Sequence, residues 1–421
     1  MSTISPRSDA EFDAVLGIEL REPVSAAAVI ENTRALLPLI AEEADEIEAN
    51  ARLTPRAERA MRRAGVLQMS FPSFRGGLEM PLAQQVEVVA AVAAVDASAG
   101  WNLAVLNTGG CYAGRLGDAA YAELYPTRDM PTSGAFHPRG RAQLTEGGFL
   151  VTGNWDWGSG SYSAEHVVGA ALIFDGDDPV LGPDGRQRFL GLWLPREAIE
   201  VAHNWDALGL RGSGSTSYAI RTPTFIPAEY SFDREASYDH SKDPLNRSVL
   251  LCHFPLTGVV LGVARHLVNL AADTLRGRLS ERGEAKLDSG IAQALGAAIG
   301  EVDFAYSGVR ETARITDDIL FSGDVLTPVH ERRMTAANAV AALSLRRVVD
   351  LCTDLSGSHY IRNTSPLQRV LRDAYGALAH DGTRRSHLGA LACAALAHAT
   401  PGLTIADDDA RGGGVPEWII S

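Results

Sequence analysis

Apolar residues recur at helical spacing through the first quarter of the chain. Ala26, Ile30, Leu37 and Ile40 fall on one face, Leu53 to Ala64 forms a charged amphipathic segment, and AQQVEVVAAVAAVDASAGWNLAVLN (83–107) is apolar almost throughout. Such intervals predict helices, the last too apolar to face water. Near residue 130 the texture changes. Short runs such as GGFLVTGNWDW, HVVGAALIF and RFLGLWLP, divided by Gly, Pro and Asp, predict strands and turns. In the first of them a two-residue period places Phe149, Val151, Gly153, Trp155 and Trp157 on one face. After the polar stretch FDREASYDHSKDPLNR, long stripes resume: Ile291, Leu295, Ala298, Val302, Ala305 and Val309, then Ala337, Ala341, Leu345, Val348, Cys352 and Leu355. Long stripes joined by short loops predict a helix bundle.

The pattern therefore divides into a helical unit (1–130), a β-unit (131–235), a helical bundle (236–402) and a tail (403–421) expected to be mobile or to clasp a partner. The fold class is α+β, mainly α.

Charge removes some functions. With 38 basic and 52 acidic residues the net charge is −14, and no basic cluster offsets it, so nucleic acid is not an expected partner. Cys111, Cys252, Cys352 and Cys393 have neither disulfide-framework nor zinc-ligand spacing, and no metal site is expected. The charged N-terminus lacks a secretory apolar core, and no charge-free run reaches the roughly 18 residues of a membrane span. These features predict a cytoplasmic protein with no membrane partner.

Four segments carry more specific information. GGFLVTGNWDWGSGSYSAEHVVGA contains G-x-W-x-x-x-SG; WDALGLRGSGS precedes a strand ending in FIP; LTGVVLGVARHLV opens the bundle; SPLQRVLRDAYGALAH ends it with PLQR-x-x-RD-x6-H. In this order and spacing they resemble the acyl-CoA dehydrogenase superfamily, in particular its flavin-dependent monooxygenase branch, the oxygenase components of two-component aromatic hydroxylases. The resemblance covers nearly the whole chain. It implies an N-terminal helical domain, a middle β-barrel domain and a C-terminal four-helix bundle, commonly assembled as a homotetramer.

It also implies chemistry. A separate flavin reductase would supply reduced FMN or FADH2, which with O2 would form a C4a-hydroperoxide and oxygenate a small aromatic, heteroaromatic or amine substrate. No GxGxxG follows a strand, so no nicotinamide site is visible and hydride must come from another protein. Read alone, the strand's two tryptophans are core residues and Ser159 a turn residue. The resemblance instead places Trp157, Gly158 and Ser159 against the isoalloxazine ring, where an indole excludes water and a hydroxyl bonds near N5 and C4a. Ser133 and Trp205 are expected at the same flavin. His380, closing the last signature, is implied to face the flavin and handle the substrate proton or the peroxide; with Ser159 it is the expected catalytic pair.

Other assignments follow from the same likeness. Arg278 would contact the flavin phosphate, and Ser358 and His359 would approach the cofactor, often across a subunit boundary. Arg369, Arg372 and Asp373 read as a structural ion-pair set. Hydroxylases of this branch often carry a second histidine where this chain has Gly109, which leaves Asn107, Phe136, His137, His253 and Asp381 as expected substrate-pocket residues. Two alternatives stay open. One is an FAD-dependent acyl-CoA dehydrogenase with Asp381 as base, although Asp is one methylene short of the usual Glu. The other, a non-catalytic DNA-binding relative, is disfavoured by the charge.

Overall fold

The computed structural model describes residues 16–233, 242–283 and 286–396, so the tail expected over 403–421 lies outside the described residues. The first helices are α1 (Ala26–Asn50), α2 (Pro55–Ala64), α3 (Leu82–Ala93), α4 (Ala97–Asn107), α5 (Gly109–Gly114) and α6 (Asp118–Leu124). Segment 83–107 is thus two helices. The break falls at Asp96, whose carboxylate accepts the Ala99 amide at 2.7 Å and caps α4. The start of α3 has no side-chain cap of its own; Asp317, far along the chain, accepts the amides of Leu82 and Ala83 at 2.7 and 3.0 Å.

The strands are β1 (Thr132–Thr145), β2 (Gly148–Gly158), β3 (His166–Asp175), β4 (Asp178–Pro179), β5 (Phe189–Leu194), β6 (Glu200–Val201), β7 (Thr216–Pro227) and β8 (Ser231–Phe232). They pair in the order β6-β7-β2-β1-β3-β5-β8, with β4 on β3; β1 and β3 are parallel and the other pairs antiparallel. The bundle follows with α7 (Val249–His253), α8 (Thr257–Arg282), α9 (Ser289–Ser322), α10 (Pro328–Ser356), α11 (Pro366–Leu378) and α12 (Ser386–Leu396). Both predicted stripes are buried along most of their length, the first from Ala298 onward and the second from Ala341. The stretch Leu250–Arg282 is long and apolar enough to cross a membrane by length and composition, but most of that apolar stretch is buried among the other helices.

One indole organises the sheet core. Trp155 is fully buried and donates through Nε1 to the Ala170 carbonyl at 2.7 Å. Gly140, Gly153 and Gly169 surround it, and a Cβ at any of them would sit 2.6–2.7 Å from its ring. The glycines that look like interruptions in these strands are the space the ring occupies.

The prediction that Trp157 shares this face is corrected. Phe149, Val151 and Trp155 are buried, whereas Trp157 is 71% exposed. The pairing of β2 with β7 slips between Trp155 and Gly158, and Trp157 takes φ 65°, a left-handed conformation uncommon for a bulky residue. The alternation ends there, and the second indole leaves the core.

The bundle grips the sheet through α11. Asp373 accepts the Leu210 amide at 2.7 Å, and Arg372 donates to the Leu208 carbonyl at 2.8 Å while pairing with Glu48 of α1 at 2.8 Å. Arg369 pairs with Asp45 at 2.6 Å. The two arginines thus bond to other elements rather than to Asp373. Burial, then the nearby Asp96 carboxylate, pushes Asp373 up to about 7. The unfolded chain loses this proton near pH 4, so the contribution is intact below that value and is lost as pH rises towards 7. Asp373→Asn keeps an acceptor for Leu210 and removes the titration. Relative to wild type, the variant is expected to gain on the order of 2 kcal/mol between pH 4.5 and 8, measured by urea unfolding at both values; a constant difference would contradict the assignment.

Candidate active site

A cavity of about 780 Å³ opens where the α4–α5 region, the sheet and α11 meet. That is within the range of small-molecule and cofactor sites. Of the residues predicted for the site, Ser133, Phe136, His137, Trp157, Ser159, Trp205, His253, His380 and Asp381 all line it.

Trp157 reaches the cavity because of its left-handed backbone, and its ring meets Trp205 edge-on at 5.6 Å. The turn is held from several sides. The Ser159 amide returns to the Trp157 carbonyl at 2.9 Å, Ser133 Oγ donates to the Ser159 carbonyl at 2.8 Å, and the Gly160 amide bonds the Ser213 carbonyl at 2.9 Å. Ser159 Oγ is part of a buried hydroxyl chain: it lies 2.6 Å from Ser215 Oγ, which lies 2.7 Å from Ser213 Oγ.

Trp101 is a cavity residue that sequence reasoning did not assign to the site. Its Nε1 donates to Ser159 Oγ at 3.0 Å, and its ring stands edge-on to His380 at 5.4 Å. One indole therefore contacts both predicted catalytic side chains. The signal was present in ASAGW, but an apolar helix offers no reason to single out one aromatic.

His380 follows α11 and caps the short turn Asp381–Thr383, with Nδ1 accepting the Gly382 amide at 3.1 Å. Burial holds its imidazole below the ordinary range, opposed by Asp381. A neutral ring whose Nδ1 accepts carries its proton on Nε2. His380 is thus set as a neutral donor from Nε2. Asp381 is exposed and paired with Arg384 at 2.6 Å. That carboxylate is engaged at the rim, which disfavours it as the base of a dehydrogenase.

Three of the predicted residues do not line this cavity. Asn107 is fully buried outside the cavity lining; its side chain donates to Gln85 at 2.9 Å and accepts the Ser70 amide at 3.0 Å, tying α4 to its neighbours. Arg278 donates to the carbonyls of Leu355 and Ser356, so its charge satisfies the end of α10. Ser358 is exposed in the turn Gly357–Ile361 and does not line this cavity, while the side chain of His359 lies outside the described residues.

Gly109 has a steric cause. A Cβ there would fall 2.5 Å from Thr132 Cβ, and Thr132 is fixed by its 2.7 Å bond to Tyr125. No larger side chain fits this backbone. Gly109→Ala is expected to lower stability by roughly 1–3 kcal/mol. Combining it with Thr132→Gly should cost less than the sum of the single changes in urea unfolding; strict additivity would refute the contact.

Residues 256–385 match the family model described as acyl-CoA dehydrogenase, C-terminal domain. The chain is 26% identical over 379 residues to the oxygenase subunit HsaA of a flavin-dependent monooxygenase from Mycobacterium tuberculosis, covering 86% of this chain and 93% of that one. It is 24% identical over 375 residues to the oxygenase component of p-hydroxyphenylacetate 3-hydroxylase from Acinetobacter baumannii, covering 85% and 86%. Among solved structures, XiaF from Streptomyces in complex with FADH2 and glycerol superposes with a TM-score of 0.78 at 21% identity, covering 92% of this chain and 97% of that one.

Proposed function

We propose that this chain, which belongs to the acyl-CoA dehydrogenase superfamily and carries its C-terminal domain over residues 256–385, is the oxygenase component of a two-component flavin monooxygenase. It takes reduced FMN or FADH2 from a separate reductase and uses O2 to oxygenate a small aromatic, heteroaromatic or amine substrate. The observation that carries this reading is the cavity wall itself: an exposed indole at 157, a hydroxyl at 159 and an imidazole at 380 border one space large enough for a tricyclic ring and a small substrate. Reduced flavin, when bound, supplies the electrons that activate O2.

The chain's own groups supply position, proton control and dryness. Trp157 and Trp205 offer flat apolar faces for the ring. Ser159, held by Trp101 and Ser215, presents an oriented hydroxyl to its polar edge. His380 donates from Nε2 to an oxygen in the cavity. Phe136 and Trp101 keep water from the reacting atoms. A homotetramer is supported by the exposed apolar residues of α9, Ile299, Phe304, Ile315 and Phe321. Buried free thiols at Cys111, Cys252 and Cys352 suit a reducing cytoplasm.

The test is to mix reduced FMN or FADH2 with the protein and O2 and to follow the return of oxidised-flavin absorbance. The reading predicts a return much slower than for free flavin. An unchanged rate with both flavins, together with flavin bleaching by an acyl thioester, would favour the dehydrogenase. His380→Gln is expected to lower product formation by roughly 10²–10⁴-fold while flavin binding persists. The wild-type acid limb is expected below the usual imidazole value of about 6.5, as burial of His380 dictates.

A further inference from the structure

Two of the four cysteines meet. Cys111 lies on α5 and Cys252 on α7, both buried and free, and their side chains hydrogen-bond to each other. The contact is fixed on either side of the sulfurs. Asn246 Nδ2 donates to the Cys111 carbonyl at 2.7 Å, and the next residues along the two segments, Tyr112 and His253, meet at 2.9 Å between Oη and Nε2. Tyr112 and His253 line the cavity, so the thiol pair sits one residue behind its wall.

A thiol is a weak donor and a weak acceptor, so this contact by itself adds little to stability. What two thiols in contact can do, and one cannot, is lose two hydrogens and join. A disulfide brings its sulfurs to about 2.05 Å, and a pair already hydrogen-bonded has little distance left to cover. The two thiols have different parts to play. Contact with Cys252, then burial, holds the Cys111 thiol well above the ordinary range, which makes Cys111 the poorer first nucleophile and the natural second one.

We propose that Cys111 and Cys252 are a peroxide-driven modification site, forming a reversible disulfide that joins α5 to α7 behind the cavity wall. The Cys252 sulfur attacks one oxygen of hydrogen peroxide, the O–O bond breaks, and the departing hydroxide takes the thiol proton and leaves as water. The Cys111 sulfur then attacks the resulting sulfenic acid at sulfur. The S–S bond forms as the S–O bond breaks, and the Cys111 proton leaves with that hydroxide as a second water. Two thiols give up two electrons, and one peroxide becomes two waters. A thiol reductant reverses the step. The source of oxidant rests on the monooxygenase reading, because reduced flavin and O2 with no substrate to oxygenate yield hydrogen peroxide; the site itself rests on the thiol contact. Closing this joint shifts Tyr112 and His253 and so couples peroxide exposure to the shape of the cavity.

The test treats the full-length protein with hydrogen peroxide, counts thiols after unfolding and maps the peptides. Two of the four thiols are expected to disappear, with a crosslink between the peptides carrying 111 and 252, and dithiothreitol should restore both. The oxidised protein should also unfold at a higher urea concentration than the reduced one, since a crosslink closing a long loop constrains the unfolded chain. Cys111→Ser and Cys252→Ser are each expected to lose the crosslink and the urea shift together. Should either variant fail to fold, the wild-type peptide map decides alone. Four thiols persisting, oxidation of single cysteines to sulfinic or sulfonic acid without the crosslink, or an equal urea shift in a folded serine variant would overturn the proposal. Reduced-flavin binding measured on the same preparations separates the two readings: the crosslink without any flavin binding would remove the monooxygenase function and leave the modification site, and flavin binding with no crosslink after peroxide would do the reverse.

Discussion

The left-handed backbone at Trp157 is the constraint on which the site depends. Such a conformation costs a bulky residue roughly 1–2 kcal/mol, and the neighbouring turn is held by bonds from Ser133, Ser159 and Ser213. Its effect is to separate two tryptophans that strand geometry would place together. Trp155 fills the sheet core against three glycines, and Trp157 stands at the cavity with its ring uncovered. A regular strand here would bury both rings and take the indole at 157 out of the cavity wall.

The site is a junction of three parts of the chain. The loop containing Leu208 and Leu210 is fastened to α11 by Arg372 and Asp373, and His380 follows the end of the same helix. That loop continues into Ser213 and Ser215, which lead to Ser159 just past the end of β2. Trp101, from the helical unit, touches both ends of this path. Groups hundreds of residues apart are thereby held in one frame before any ligand arrives, as preorganised chemistry requires.

Much of this was legible in the sequence. The change from 3.6-residue to two-residue periodicity located the sheet, and the four signatures brought Trp157, Ser159 and His380 to one cavity. What was not legible has definite physical causes. Period alone cannot show where a strand turns left-handed, so Trp157 was placed on the core face. The resemblance offered Arg278 for a phosphate, and a cation read in a helix does not reveal that the carbonyls ending α10 are within its reach. Asn107 sits one residue from cavity-lining Thr108, yet its amide is spent on Gln85 and Ser70. Trp101 and Tyr112 were hidden among apolar neighbours, where only tertiary contacts distinguish a site residue from packing.

The most direct measurement is an anaerobic crystal structure of the protein soaked with reduced FMN or FADH2. The account predicts the tricyclic ring lying along the Trp157 indole, its polar edge within hydrogen-bond distance of Ser159, and His380 Nε2 facing the space above that edge. A ring bound elsewhere, with the indole at 157 left bare or His380 on the opposite side of a closed wall, would contradict it.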